Sequence, residues 1–172
     1  MLALLVALSS NAQAASTNSS SDGGADTYVD LRGSMAVPAG ARGFAYVGSV
    51  GIGAEWEGGG SLGVRFLGMA DPPSTMFSNN PAPYAGGPVM DFRKHIYVSE
   101  DFDLYPTASA GFVITVDEPT GRNVVLPIME TGFGVRKTFG DPDGARFAVA
   151  PEAGFVPFIL APYGSVTFST IF

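Results

Sequence analysis

The chain has no cysteine and only one histidine. Without Cys, disulfide scaffolds, thiolate zinc sites and thiol nucleophiles are excluded, and one His leaves little room for a metal centre. Lys and Arg number nine against 16 Asp and Glu, which gives a net charge of −7. A nucleic-acid-binding protein needs a basic face to neutralise phosphates, so this balance argues against one. We therefore expect no metal, no cofactor and no nucleic-acid partner.

Long apolar runs are also scarce. The only one, at residues 1–8 (MLALLVAL), is shorter than the roughly 20 residues that a spanning helix needs. Small and polar residues follow and end in an Ala-x-Ala pattern at 12–14, which is typical of a secretory signal peptide. We expect cleavage after Ala14, a disordered polar leader over 15–26 and one domain over 27–172. No Lys or Arg precedes the apolar core, which leaves a start further upstream open.

Glycine and phenylalanine, by contrast, are abundant, at 23 and 13 residues. From residue 27 onward, every second residue tends to be apolar, which is the periodicity of a β-strand. In the segment 43–56, the even positions from Phe44 to Trp56 are mostly apolar, and the odd positions are mostly small or polar. The last segment, 163–172, repeats this pattern. Each predicted strand therefore has one apolar face and one small or polar face.

Clusters of Gly, Pro and Asp mark the turns between these segments. They predict eight strands, at 27–36, 43–56, 61–69, 88–98, 103–116, 123–138, 145–156 and 163–172. When the connections are numbered along the chain, the even-numbered ones are all short, whereas the single long connection, 70–87, is odd-numbered. Short turns at one end and longer loops at the other are typical of outer-membrane barrels. We predict an all-β fold, an eight-stranded antiparallel up-and-down transmembrane β-barrel that follows a cleavable signal peptide.

Most charged residues lie on the face opposite the apolar one. The interior of an eight-strand barrel is just wide enough for side chains, so we predict a packed lumen of ion pairs rather than an open channel. The predicted lumen network comprises Asp30, Arg32, Glu55, Arg65, Asp91, Arg93, His95, Asp103, Glu130, Arg136 and Glu152, and Arg146 shares the same face. Lys94 falls on the lipid-facing side, where a mid-bilayer Lys costs about 2–4 kcal/mol. Pro151 lies centrally in a predicted strand, which indicates a bulge or a break.

Aromatic residues fall near the ends of the predicted strands, as in the two aromatic girdles of membrane barrels. The predicted interfacial aromatics are Phe44, Tyr46 and Phe155 at the outer ends and Trp56, Phe139 and Phe147 at the inner ends. A soluble β-sandwich is the alternative for such alternation. The second face is rich in Gly, Ala and Ser rather than Lys and Glu, which suits a crowded interior better than a solvated surface.

The chain ends APYGSVTFSTIF, with alternating apolar residues that close on Phe172. This ending resembles the assembly signal of bacterial outer-membrane β-barrels, and the whole chain resembles the small barrels of the OmpA, OmpX and opacity type. The resemblance implies that Val166, Phe168 and Phe172 are read by the barrel-assembly machinery, with Thr170 as a polar member. It also implies a monomer embedded in outer-membrane lipid.

Two glycine- or aspartate-rich motifs could carry chemistry but are better explained as turns. Residues 58–63 match GxGxxG, yet an alternating strand follows instead of a helix. Residues 141–144 (DPDG) form a common turn sequence. A serine hydrolase needs a His base beside an activated Ser, and no Ser lies two residues beyond His95. Ser99 is four residues away, so we predict a structural His and no enzyme activity.

The sequence thus predicts a non-enzymatic outer-membrane barrel with a structural or surface-interaction role. The loop over 70–87, which carries Met76, Phe77 and Tyr84, is the expected contact for a surface partner. The alternatives are a narrow pore or small-molecule conduit, a lipid-modifying barrel enzyme and a soluble secreted β-sandwich.

Overall fold

Strands contain most of the residues that the structure describes. A computed structural model describes residues 24–37, 44–70, 81–117, 120–141, 144–157 and 160–172. Its strands are β1 (Ala25–Ala36), β2 (Ala45–Trp56), β3 (Gly60–Ala70), β4 (Pro81–Lys94), β5 (Ile96–Ser99), β6 (Phe102–Asp117), β7 (Arg122–Phe139), β8 (Arg146–Val156) and β9 (Ala161–Ile171). In these residues no helix is both long enough and apolar enough to cross a membrane.

The strands close into a ring. Apart from β4 and β5, strands that follow one another in the chain pair antiparallel, β4 also pairs with β6, and β1 pairs with β9. Because β5 continues β4 after an interruption at His95, the ring contains eight strands. Thr27 and Phe172 exchange two backbone hydrogen bonds, of 3.2 and 2.8 Å, at the seam between the chain ends. The predicted closed eight-strand antiparallel barrel is confirmed.

One end of the barrel, called here the inner end, carries the short turns after β2, β5 and β7. The backbone bonds between Thr27 and Phe172 lie at the same end. The outer end carries the other connections. The strand bounds agree with prediction to within three residues except at the start of β4, which begins at Pro81 rather than at 88. The predicted loop over 70–87 is therefore too long, and Tyr84 lies within β4. A register shift between Pro81 and Ala85 allows this proline-containing segment to pair with β6. Met76 and Phe77 lie outside the described residues.

Alternate residues face outward and inward as the periodicity predicts. On β2, Val50 and Ile52 are exposed, whereas Ser49 and Glu55 are buried in the lumen. The predicted interfacial aromatics Phe44, Tyr46, Trp56, Phe139, Phe147 and Phe155 are all exposed on the outer surface. Phe139 pairs with Phe147 at the inner end, and Tyr46 pairs with Met35 at the outer end. The barrel therefore presents an apolar wall with aromatic side chains toward both ends.

Two predicted irregularities have simple explanations. Lys94 is the last residue of β4, and its Nζ donates a hydrogen bond to the Gly58 carbonyl in the turn after β2. Lys94 therefore faces outward, as the alternation predicts, but it lies at the inner end, where the mid-bilayer cost does not apply. Pro151 pairs in register with Val166, and the pairing of β8 with β7 keeps one register on both sides of it. The β7–β8 ladder is interrupted beside Pro151 without a bulge, since Pro has no N–H to donate.

Some glycines permit close approach of strands, and this is testable at Gly87. A Cβ at Gly87 would lie against the carbonyl oxygen of Phe112 and 3.1 Å from the Cα of Val113, whereas a Cβ at Gly48 would meet open space. We expect Gly87→Ala to lower the free energy of unfolding by about 1–3 kcal/mol, because backbone atoms cannot move aside. Gly48→Ala should change it by less than about 0.5 kcal/mol. Urea unfolding in lipid vesicles measures both, and equal values would contradict the close approach.

Candidate functional site

The lumen contains nearly all of the buried charge. The eleven predicted lumen residues are each 2% to 8% exposed. They divide into an inner cluster of Glu55, His95, Asp103 and Arg136 and a central network of Asp30, Arg32, Arg65, Asp91, Arg93, Glu130 and Glu152. Arg146 shares their inward side but lies at the inner mouth, where it pairs with Asp26 and is partly exposed. It is therefore not part of the lumen network.

The inner cluster is built around Arg136. Its two terminal nitrogens donate hydrogen bonds to the Glu55 carboxylate at 2.5 and 2.8 Å, and its Nε donates to Asp103 at 2.7 Å. The other oxygen of Asp103 lies 2.8 Å from His95 Nδ1. The Tyr97 hydroxyl donates to Glu55 at 3.0 Å. Residues from β2, β5, β6 and β7 are thus joined across the inner end of the lumen by charge-assisted bonds.

In the central network, each arginine bridges two carboxylates. Arg65 Nε lies 2.7 Å from Asp91, and Arg65 Nη2 donates to Glu130. Arg93 Nη2 lies 2.7 Å from Asp30 and 3.5 Å from Asp91. These contacts form an unbroken chain of alternating charges across the lumen.

Arg32 extends this chain toward β8. Its Nη2 donates to Glu152 at 2.9 Å, and its Nη1 lies 3.6 Å from Glu130. The Tyr163 hydroxyl donates to the same Glu152 oxygen at 2.6 Å. The central network thus holds four carboxylates against three guanidinium groups, so each arginine compensates more than one carboxylate.

Three buried tyrosines, which the sequence reasoning missed, pack against glycines of neighbouring strands. A Cβ at Gly134 would lie against the Tyr105 ring, 2.5 Å from its hydroxyl, and a Cβ at Gly63 would lie 2.5 Å from the Tyr28 hydroxyl. Tyr163 packs in the same way over Gly132 and Gly154. An inward-facing Tyr paired with an inward-facing Gly would have indicated these contacts. Such pairs can be recognised only when the register between the strands is known.

Aromatic rings also contact the buried charges. The Arg93 guanidinium lies 5.5 Å from the ring centroid of Tyr28 and 5.9 Å from that of Tyr105. The rings of Tyr105 and His95 are 5.2 Å apart. Tyr28 and Tyr105 thereby fill the space between the inner cluster and the central network.

The outer half of the lumen is mostly apolar, although Thr115 is buried there as well. Its buried hydrophobic residues, called here the apolar layer, are Ala36, Ala45, Leu67, Met69, Ala85, Val89, Val113, Ile128, Val156, Ala161 and Tyr163. Leu67 and Val89 are at most 1% exposed. The sequence predicts a packed lumen of ion pairs, whereas most inward side chains at the outer ends of the strands are small or aliphatic. We expect this layer to keep water and ions out of the outer part of the barrel, because protein interiors pack closely.

A serine that the sequence reasoning did not consider lies beside His95. Ser61 Oγ is 3.5 Å from His95 Nε2, and His95 Nδ1 is 2.8 Å from Asp103. This is the order of groups in a Ser-His-Asp triad. Along its own strand, His95 is followed by only one serine, Ser99. The pairing of β3 with β4, however, brings Ser61 opposite Arg93 and next to His95. Ser61 and His95 are 1% and 3% exposed, so neither has a free approach.

The residues of the predicted assembly signal lie on or beside β9. Val166 and Phe168 face outward and are exposed, and Phe168 stacks on Phe147 with ring centroids 6.4 Å apart. Phe172 follows the end of β9 at the seam.

The two turn motifs of the sequence are turns in the structure as well. The Gly-rich motif is the turn after β2, in which Gly59 has a φ of +76° and its amide donates to the carbonyl of Trp56. In the DPDG motif, the amide of Gly144 donates to the carbonyl of Asp141 at 3.0 Å, as in a turn.

The sequence matches no protein-family profile and no curated protein. Its fold is found in several solved structures, including three eight-strand barrels. The N-terminal β-barrel domain of Pseudomonas aeruginosa OprF is 11% identical, with a TM-score of 0.58 over 88% of this chain and 100% of that domain. Neisserial surface protein A is 6% identical, with a TM-score of 0.55 over 86% of this chain and 95% of that one. Ail, the attachment invasion locus protein of Yersinia pestis, is 10% identical, with a TM-score of 0.52 over 87% and 97%.

The fold is thus that of the eight-stranded outer-membrane β-barrels. The barrel is closed, its outer wall is apolar, and its lumen is occupied by the inner cluster, the central network and the apolar layer.

Proposed function

We propose that this chain is a non-enzymatic protein of the bacterial outer membrane with a structural or surface-interaction role. The observation that carries the proposal is a closed barrel with charges inside and large apolar side chains outside. An exposed apolar wall of this size would be costly in water, whereas lipid solvates it. A partner would be met by the outer connections, which include the segment 71–80.

Gel mobility of the membrane fraction tests this proposal. A closed barrel resists SDS until it is heated, so the unboiled protein should migrate differently from the boiled one and should fractionate with the outer membrane. The matched control is a variant that ends before β9 and cannot close the seam; its mobility should not depend on boiling. If the full chain runs identically in both lanes or is found in the soluble periplasm, the proposal is wrong.

A pore is the first alternative, and the apolar layer argues against it. Leu67, Val89 and Val113 are each at most 1% exposed and lie in the path between the central network and the outer end. An ion that crossed this layer would lose its hydration without gaining polar ligands, which is strongly unfavourable. We therefore assign the lumen a structural role, in which ion pairs and tyrosines hold the strands together.

A hydrolase is the second alternative, because the Ser61, His95 and Asp103 side chains have the arrangement of a triad. The His95 Nε2 atom also lies 3.8 Å from Glu55, and Asp103 is already bonded to Arg136. Together with the burial of Ser61, these contacts favour a structural role. A fluorophosphonate probe should therefore not label the folded protein, and Ser61→Ala should leave membrane lipid composition unchanged. Labelling that Ser61→Ala abolishes would instead establish the enzyme.

A further inference from the structure

We propose that the inner end of the barrel binds an extended, basic polypeptide segment along the free edge of β5. Within the described residues, β5 pairs with β6 alone and is the single strand that lacks a second neighbour. β3 begins at Gly60, opposite Lys94, so no strand lies beside β5 on that side. An unpaired edge offers backbone donors and acceptors to another chain.

The edge is accessible and begins where the barrel ladder ends. The amide of His95 donates to the Gly59 carbonyl at 2.6 Å, which is the last backbone bond on this side. Because alternate residues of a strand point to the same side, the N–H and C=O of Tyr97 face the open edge. Ile96, Tyr97 and Val98 are 53%, 52% and 61% exposed. An added strand could therefore pair with β5 beyond the turn at Gly59, whose backbone lies beside His95 and the Tyr97 ring.

A polar cavity of about 300 Å³ opens beside this edge at the inner mouth. Five of its lining side chains are acidic, at positions 26, 55, 57, 100 and 103, against two arginines, Arg136 and Arg146. Within the described part of the chain, Glu57 and Glu100 make no ion pair and are exposed. Trp56 and Tyr97 also line the cavity. A Lys or Arg side chain would find carboxylates and aromatic faces there.

The charge of the cavity identifies the occupant. Strand addition obtains affinity from main-chain bonds and specificity from pockets for alternate side chains, and here the adjacent pocket carries excess negative charge. A second copy of this chain would bring another acidic mouth against the first. A basic extended segment of another protein is therefore the complementary partner. This binding site lies at the inner end of the barrel, away from the outer connections that a surface partner would contact.

The test uses the refolded full chain in detergent micelles and the peptide acetyl-Lys-Val-Lys-Val-Lys-amide. Trp56 is the only tryptophan and lines the cavity, so its fluorescence reports binding. We expect a saturable change with this peptide. The same peptide N-methylated at alternate residues should bind about tenfold more weakly, because it loses one or two net main-chain hydrogen bonds. Equal binding of the two peptides would overturn the edge pairing.

Two further measurements separate charge and self-association. Glu100→Gln should weaken peptide binding about two- to fivefold, whereas the matched change Asp141→Asn, at an acid outside the cavity, should not. Equal effects of these variants would contradict recognition by the cavity.

Cross-linking of the protein without peptide tests self-association and should show monomers. A dimer that β5 substitutions abolish would make a second copy the occupant and overturn the proposal.

Discussion

Replacing Arg65 with Ala is expected to lower the free energy of unfolding by about 3–5 kcal/mol. Arg65 bridges Asp91 and Glu130 and also donates to Ser109 at 2.9 Å, all within the buried lumen. The central network already has one more carboxylate than guanidinium group. Without Arg65, the carboxylates of Asp91 and Glu130 would remain buried with fewer positive charges beside them. This costs much more free energy than the intact ion pairs contribute. Urea unfolding in lipid vesicles, followed by Trp56 fluorescence, measures the change.

The control for Arg65 is an ion pair on the barrel surface. Lys137 lies 2.9 Å from Asp101, and the two side chains are 46% and 60% exposed. Lys137→Ala should change the free energy of unfolding by at most about 1 kcal/mol, because water and salt screen exposed pairs. If both variants lost the same small amount, the central network would not hold the barrel together as described.

Deleting Phe172 is expected to reduce the assembled protein in the outer membrane several-fold. Two effects combine in this deletion: the loss of the backbone bonds between Phe172 and Thr27 at the seam, and the loss of the terminal aromatic side chain that we propose the assembly machinery reads. Quantifying the heat-modifiable form in isolated outer membranes measures the reduction.

Substitutions separate these two effects. Phe172→Ala keeps the backbone bonds to Thr27, so it should refold normally in detergent but assemble poorly in cells. Phe155→Ala removes an exposed aromatic from β8 and should leave assembly in cells nearly unchanged. If Phe172→Ala and Phe155→Ala assembled equally well, the terminal side chain would have no special role.

Period-two alternation predicted much of the fold because the side-chain direction along a strand is a local property. It placed Glu55 and Arg136 inside the lumen and Ile52 and Trp56 outside. The start of β4 was missed because Pro and Gly near residues 81–87 indicate a loop, whereas pairing with both β3 and β6 holds this segment in a strand.

What alternation could not predict depends on the register between strands. Ser61 and His95 are 34 positions apart in the chain, and their contact follows from the pairing of β3 with β4. The contact of Tyr105 with Gly134 depends in the same way on the β6–β7 register. The apolar layer was overlooked for a different reason: small inward residues such as Ala36 and Ala45 carry no charge, although they are buried in the outer half of the lumen.

Conductance across a planar lipid bilayer tests the central claim, a closed barrel with a sealed lumen, most directly. The purified, refolded and heat-modifiable protein should insert without producing single-channel current steps at any applied voltage, because the apolar layer and the ion-paired network occupy the lumen. Discrete current steps whose size rises with salt concentration would show a continuous aqueous path and would contradict the account.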